Sequence, residues 1–390
     1  MSFSLESLTA GGKSGQESNS ENGRTCRLLY LIGELHTGGS ERQLYYLLRT
    51  MDRERYKPAV VVWNYSENDI HLPLIRSLDV PIYGVTPTGS RVTKLTVLRR
   101  LVRQLEPEVV HSWSFYTNFA AYFATAATRS LPIGSIRSDF SWAITECGSV
   151  LGSLSGRWPQ TQICNSLSAA ENVRSSRGLF VPSQISVVRN CIDLEQFRYA
   201  PDFNDEPSRI LGIGYLLPVK RWERLLRAAH RLRQRGINFT IKIAGDGPLR
   251  SDLEREALSL GVGDRVLFLG HITNISSLLA ESSFVVHTAD AEGCPNSVME
   301  AMACGRAVVA ADAGDIRYLI DDGKSGFVVP SDDGEALVDR IGKLIENSEL
   351  RNGMGRAARA KAEQQFRLGN LVNETLAAYS SCGWKDTSVQ

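Results

Sequence analysis

Short uninterrupted apolar runs alternate along this chain with longer segments whose apolar residues recur at helical spacing. Few folds accept that order. A run apolar on both faces suits a parallel strand buried between two helix layers. The runs at 27–32, 59–63, 81–85, 108–113, 133–139, 162–166 and 185–190 form a first series. Those at 209–214, 239–244, 265–270, 284–289, 307–311 and 323–330 form a second, the last as an edge strand. Between the series, 194–207 carries Pro201, Asp202, Asn204, Asp205, Glu206 and Pro207 and reads as a linker. The expected fold class is α/β: two doubly wound Rossmann-like domains facing a cleft. Their boundaries fall at 25–195 and 205–362, with a last helical segment over 363–382. Helices are expected at 333–348, 350–366 and 369–380. Residues 1–24, rich in Ser, Gly, Asn and Glu, read as a disordered tail.

Within this frame one stretch concentrates polar chemistry. Glu292 and Glu300 lie eight positions apart, the first on a loop leaving a strand and the second in the early turns of the next helix. Ligands of open parallel sheets bind outside the carboxyl ends of the strands, so both acids are expected to face one crevice. Gly293, Cys294, Pro295, Asn296 and Ser297 lie between them, with Pro295 and Asn296 suited to a turn and an N-cap. Backbone N–H groups at a helix start attract oxygen-rich ligands. Acids are also common at helix starts for electrostatic reasons alone, which is the plainer alternative.

Gly214 ends the first strand of the second series, and Lys220 and Arg221 precede the helix that follows. A cation at that end of a helix is unfavourable unless an anion is present, which points to phosphate; a solvated lysine is the alternative. In the first series, Gly38 and Gly39 open a helix for which Ser40 and Gln43 form a capping-box pattern. His111, Trp113, Arg137 and Asp139 stand at strand ends and are expected on the crevice side. Residues 142–158, polar, glycine-rich and aromatic, read as a surface loop or an acceptor loop. The helix around Leu95–Leu105 carries Lys94, Arg99, Arg100 and Arg103, a solvated face that can also touch anionic lipid.

Bulk properties exclude several classes. The 390 residues are 43% hydrophobic and 22% charged, as in globular chains. A net charge of +1 implies no general attraction to nucleic acid. The seven cysteines show no zinc spacing and fit a reduced, cytoplasmic compartment. No signal-peptide pattern or bilayer-length apolar stretch is found. A carboxylate for ribose hydroxyls, a lysine and helix N-termini for phosphates together describe a nucleotide-diphosphate ligand. Metal ligands are poor; Asp290 with Glu292 is the only acidic pair beside the site, and no essential metal or other cofactor is expected.

These residues resemble a family. Glu292 to Gly305 followed by Ala307-Val308-Val309, with Gly38-Gly39-Ser40-Glu41, Cys164-Asn165-Ser166, Asn190-Cys191-Ile192-Asp193, Lys220 and Gly245-Asp246-Gly247-Pro248, resembles the retaining GT-B glycosyltransferases of family 4 (group 1) across about 26–380. The resemblance implies transfer of a sugar from a nucleotide-diphosphate sugar to a hydroxyl acceptor, with retention and without metal. It makes Lys220 and Glu292 the catalytic pair. Lys220, with Arg221 and Gly214, meets the donor diphosphate, Gly39 approaches that diphosphate across the cleft, and Glu300 holds the ribose. Glu292 and the N–H groups of Gly293 to Asn296, with Ser297, hold the transferred sugar. His111, Trp113, Arg137 and Asp139 fall on the acceptor side, and the last helix crosses back onto the first domain. A saccharide or lipid-linked acceptor and peripheral contact at the inner membrane face follow by the same resemblance.

Three positions depart from the family pattern. Tyr215 stands where an arginine is usual, with Arg221 as the candidate to compensate; Arg221→Ala is then expected to raise the donor KM. Trp113 replaces the second histidine of His-x-His. Cys191 replaces a glycine and is expected to be strained if the backbone there requires positive φ. The alternative function is a degenerate, non-catalytic relative that binds a nucleotide sugar or a protein partner.

Overall fold

The computed structural model describes residues 26–36, 38–85, 90–202 and 206–386. The expected tail lies outside the described residues, as do 203–205 of the expected linker. The described chain forms two compact units, one running to Arg189 and resuming at Leu368, the other Asn190–Arg367.

The first unit carries strands β1 (Leu28–Ile32), β2 (Pro58–Val62), β3 (Ile82–Gly84), β4 (Val109–Ser112), β5 (Leu131–Ile136), β6 (Thr161–Cys164) and β7 (Gln184–Val187). They form a parallel sheet in the order β3-β2-β1-β4-β5-β6-β7. The second unit carries β8 (Ser208–Ile213), β9 (Phe239–Ala244), β10 (Val266–Gly270), β11 (Phe284–His287), β12 (Val308–Ala311) and β13 (Gly326–Val329). Their order is β10-β9-β8-β11-β12-β13, again parallel. Strand order reverses between β1 and β4 in one unit and between β8 and β11 in the other. Loops leaving those strands therefore part to opposite sides and open a crevice at the sheet's carboxyl edge.

The apolar runs are continuous because both faces of each sheet are covered. In the second unit, Ile210, Val286 and Val309 pack into one core with Leu225, Leu226 and Ile341. Their chain neighbours Leu211, Val285 and Val308 pack into the other with Met299, Met302 and Phe366. Successive residues of a strand point to opposite faces, so each strand feeds two cores. Each such aliphatic side chain, fully buried, contributes about 1.5–3 kcal/mol.

The break at Arg189 lies ahead of the expected 195. Ile192 pairs with Arg367, its N–H donates to the Phe366 oxygen at 2.8 Å, and its side chain joins the second unit's core. The helix Ser348–Gln365 also belongs to that unit, through Ala358 and Ala362, so the closing segment begins at Leu368 rather than 363. Helix Leu368–Ser381 joins the first unit, where the Tyr379 hydroxyl meets His111 Nδ1 at 2.7 Å. Trp384 Nε1 donates to Glu108 at 2.8 Å, and Arg27 grips both Glu108 oxygens and Asp386.

Several local expectations are corrected. The helix begins at Gly39 with Gly38 as its N-cap and no side-chain cap, so Ser40 lies inside it and forms no capping box with Gln43. Residues 142–158 are not a loop: helices Phe140–Glu146 and Ser149–Arg157 occupy them. The Asp139 carboxylate caps the first by accepting from Trp142 N–H, and Gly148 opens the second at φ +82. Cys191 is buried and is not among the residues of positive φ, so the predicted strain is absent.

Candidate functional site

Lys220 and Glu292 arrive from the two strands at the second unit's reversal point. After β8, Gly214 adopts φ +154, and a Cβ on Gly245 would lie 1.9 Å from the Gly214 carbonyl oxygen. Glycine at both positions lets the two turns touch. A single 3-10 turn, Pro218–Lys220, then presents Lys220, and Arg221 follows in the left-handed region at φ +53. Helix Trp222–Gln234 carries the chain away.

The loop after β11 is stitched to this turn. Thr288 Oγ1 donates to the Lys220 carbonyl at 2.8 Å, and Asp290 N–H donates to the Val219 carbonyl at 2.9 Å. Arg224 donates to the Thr288 carbonyl at 3.0 Å and reaches Asp290 Oδ1 at 2.5 Å. Arg221 Nε lies 2.9 Å from Glu223 and 3.2 Å from Asp290. This fixed frame brings the Lys220 ammonium onto Glu292 Oε1 as an ion pair.

Glu292 has a second neighbour that the sequence reading missed. His287, the last residue of β11, is 3% exposed, with Nε2 at 3.4 Å from the same Oε1. That is a close approach rather than an aligned hydrogen bond, since the nitrogen has no hydrogen-bond partner. Burial pushes the Glu292 carboxyl up, but the His287 contact and the Lys220 charge outweigh it and hold the group down at about 2. Glu292 is therefore an anion at neutral pH.

The backbone beyond Glu292 is held from three sides. Gly314 at φ +58 comes so near that a Cβ would lie 2.4 Å from the Glu292 carbonyl oxygen. Asp315 N–H donates to the Gly293 carbonyl at 2.9 Å. Asn190 Nδ2 donates to the Cys294 carbonyl at 2.9 Å and to Asn296 Oδ1 at 3.1 Å. Cys294 is buried, with Sγ 3.6 Å from Met299 Sδ. Helix Asn296–Ala303 starts there with Pro295, not Asn296, at the N-cap and no side-chain cap. Its start, bearing Ser297, offers backbone N–H groups and the positive end of its dipole. Glu300 lies in its second turn, 3% exposed. Tyr215 is 44% exposed, and its carbonyl accepts from Trp222 Nε1 at 2.9 Å.

The first unit treats the expected acceptor residues differently. His111 is buried, with Nδ1 at 2.7 Å from the Tyr379 hydroxyl and Nε2 at 2.9 Å from Ser135 Oγ. Burial, and then the Arg137 charge, push its pKa well below the usual histidine value. Trp113 is buried, and its indole N–H donates to the Ser40 carbonyl at 2.8 Å. Arg137 stacks 3.8 Å above the Trp113 ring and donates to the Trp113 carbonyl. Burial lowers the Arg137 pKa to about 10. Asp139 is the helix cap already described. The expectation that these side chains point into a crevice is corrected for His111 and Trp113, whose polar atoms are engaged inside the unit. Gly39 is the first residue of its helix, and a Cβ on Gly38 would meet the Glu41 carboxylate at 2.0 Å.

Besides His287, the residues that sequence reasoning missed are Gly314, Asp315, Thr288 and Arg224. The only signal for His287 was a polar residue ending an apolar run. Gly314 gave none, because its role is a contact between two separate loops. Among the described residues, no group of three or more His, Cys, Asp and Glu side chains is placed to hold a metal ion.

Comparison with known proteins identifies the family and the fold. The model of the Glycosyltransferase Family 4 family matches residues 37–196. A curated galactosaminyltransferase of Campylobacter jejuni, named as acting on a diphospho-undecaprenol-linked saccharide, is 24% identical over 90% of this chain and 97% of its own. The alpha-D-kanosaminyltransferase of Streptomyces kanamyceticus is 30% identical over 46% of this chain and 47% of its own. The chain thus spans about half the length of some curated relatives it matches. Among solved structures, Anabaena HepE in complex with UDP-glucose superposes with a TM-score of 0.79 at 20% identity, over 91% of this chain and 99% of that one. Sucrose-phosphate synthase of Thermosynechococcus elongatus gives 0.77 at 15% identity, over 91% and 98%. With the model of Glycosyl transferases group 1 matching residues 193–361 as well, the chain belongs to the family 4, group 1 glycosyltransferases and has the GT-B fold.

Proposed function

We propose that this protein transfers a sugar from a nucleotide-diphosphate sugar to a hydroxyl acceptor, with retention of configuration and without a metal ion. One observation carries the reading: Lys220 and Glu292 meet at the carboxyl ends of adjacent strands β8 and β11, beside a helix start that no side chain caps. A departing nucleoside diphosphate develops negative charge, and a preorganised ammonium with backbone N–H groups stabilises it. Glu292, held ionised, accepts hydrogen bonds from hydroxyls of the sugar, and Glu300 those of the ribose. Gly214 and Arg221 border the diphosphate, and Gly293 to Ser297 border the sugar.

The acceptor is a saccharide or a lipid-linked saccharide in polysaccharide or glycolipid synthesis. The C. jejuni relative, named for a diphospho-undecaprenol-linked saccharide, supports this class. HepE, solved with UDP and with UDP-glucose, supports a nucleotide-sugar donor. Action at the cytoplasmic face, with peripheral membrane contact, belongs to the same reading. No helix among the described residues is long and apolar enough to cross a membrane.

The test is release of free nucleotide from candidate nucleotide sugars, with and without saccharide acceptors and with and without EDTA. Acceptor-dependent, EDTA-insensitive release, with the donor's anomeric configuration kept in the product, is expected. A second reading rests on Tyr215 in place of the usual arginine: nucleotide binding without turnover would mark a non-catalytic relative.

A further inference from the structure

We infer that His287 is a positioning residue that takes up a proton when Lys220 turns from Glu292 to a diphosphate, so that nucleotide binding carries a proton with it. The inference rests on the reading of Lys220 as the diphosphate contact.

One carboxylate oxygen has two rival partners. Lys220 Nζ and His287 Nε2 both face Glu292 Oε1. Without a nucleotide the ammonium occupies it, and the buried imidazole nitrogen stands 3.4 Å away without a hydrogen-bond partner. A diphosphate draws the ammonium off. Glu292 is then an anion whose side chain is only 14% exposed. Breaking a buried pair from one side leaves an uncompensated charge, which is strongly unfavourable.

Glu292 has little freedom to escape, because Gly314, Asp315 and Asn190 hold the backbone that follows it. The other charged groups nearby are committed. Arg224 and Arg221 each bind Asp290, and Arg221 also binds Glu223. Across the strand, His287 faces Ala310, which has no charge to offer. Histidine is the side chain that gains a proton near neutral pH. A proton on Nε2 gives Glu292 a cation and a donor at once, and solvent supplies it. Glu292 thus stays ionised and in place for the sugar hydroxyls while Lys220 serves the phosphates.

The experiment is calorimetric titration of the full chain with UDP, then GDP and ADP, at about pH 7.5 in two buffers of different ionisation enthalpy. Wild type is expected to take up a fraction of a proton, approaching one, beyond the uptake of His287→Gln. The nucleotide's own phosphate titrates equally in both, so the difference belongs to the protein. Affinity of the wild type should also fall more steeply with pH, by up to about tenfold per unit. Glu292→Gln should remove the same uptake. Histidine-selective NMR of the wild type, with six histidines in the chain, should show one imidazole becoming charged on nucleotide addition. Equal uptake in wild type and His287→Gln, or no imidazole changing state, overturns the inference while leaving the proposed function standing. Absence of binding by the wild type overturns both.

Discussion

The Thr288 hydroxyl donates to the carbonyl oxygen of Lys220 at 2.8 Å, so the turn that presents the lysine and the loop that presents Glu292 form one piece. Asp290 N–H on the Val219 carbonyl adds a second tie. The geometry of the charged pair is thereby set by backbone rather than by two long side chains finding each other. Such preorganisation lowers the reorganisation needed at the moment of reaction.

Gly314→Ala tests how far that backbone tolerates change. At φ +58 the new Cβ lies 2.4 Å from the Glu292 carbonyl oxygen and 2.6 Å from that of Gly293. Strain and displacement should cost about 1–3 kcal/mol of stability. Because the displaced segment carries Glu292, the donor KM should rise together with the fall in Tm. An unchanged Tm and KM would show that the contact is easily relaxed.

The Glu292 carboxyl gives a pH signature. Its folded pKa of about 2 lies below the unfolded value of about 4.3. A depressed carboxyl contributes stability that is fully present above the unfolded value and is lost as pH falls through the folded one. The contribution is on the order of 2–3 kcal/mol. Urea midpoints of wild type and Glu292→Gln should therefore converge between about pH 5 and pH 2. A gap that stays constant over that range would contradict the assignment.

Tyr379→Phe probes the closing helix. It removes the hydroxyl from His111 Nδ1 and leaves a polar atom buried without its partner. The expected loss is about 1–3 kcal/mol, read as a lower urea midpoint. The proposed nucleotide site lies in the other unit, so nucleotide-induced stabilisation is expected to persist. An unchanged midpoint would mean that His111 is satisfied without Tyr379.

Much of the scaffold was legible in the sequence because buried parallel strands are apolar on both faces. Ile210 and Leu211, or Val285 and Val286, announce a strand covered twice. The helices at 140–157 were not legible. Their glycines and polar residues weaken the period, and the Asp139 cap reads equally well as a site acid. Lys220 and Glu292 were singled out through motif and strand-end logic, and the structure brings them together as an ion pair. His287 and Gly314 were not, because their meaning lies in contacts made only after the loops fold together. His111 and Trp113 were located correctly along their strand but assigned to a crevice, since period-two alternation alone does not show which polar atoms find partners inside.

The most direct measurement is a thermal-shift screen of wild type and Lys220→Ala against UDP, GDP, ADP, dTDP and CMP. A nucleotide well above its Kd should stabilise the wild type by about 2–4 kcal/mol. One diphosphate that shifts the wild type and leaves Lys220→Ala unmoved identifies the donor class and supports Lys220 as the diphosphate contact. Equal shifts in both proteins, or none in either, would contradict the central claim that this lysine, paired with Glu292 in the free protein, receives the donor.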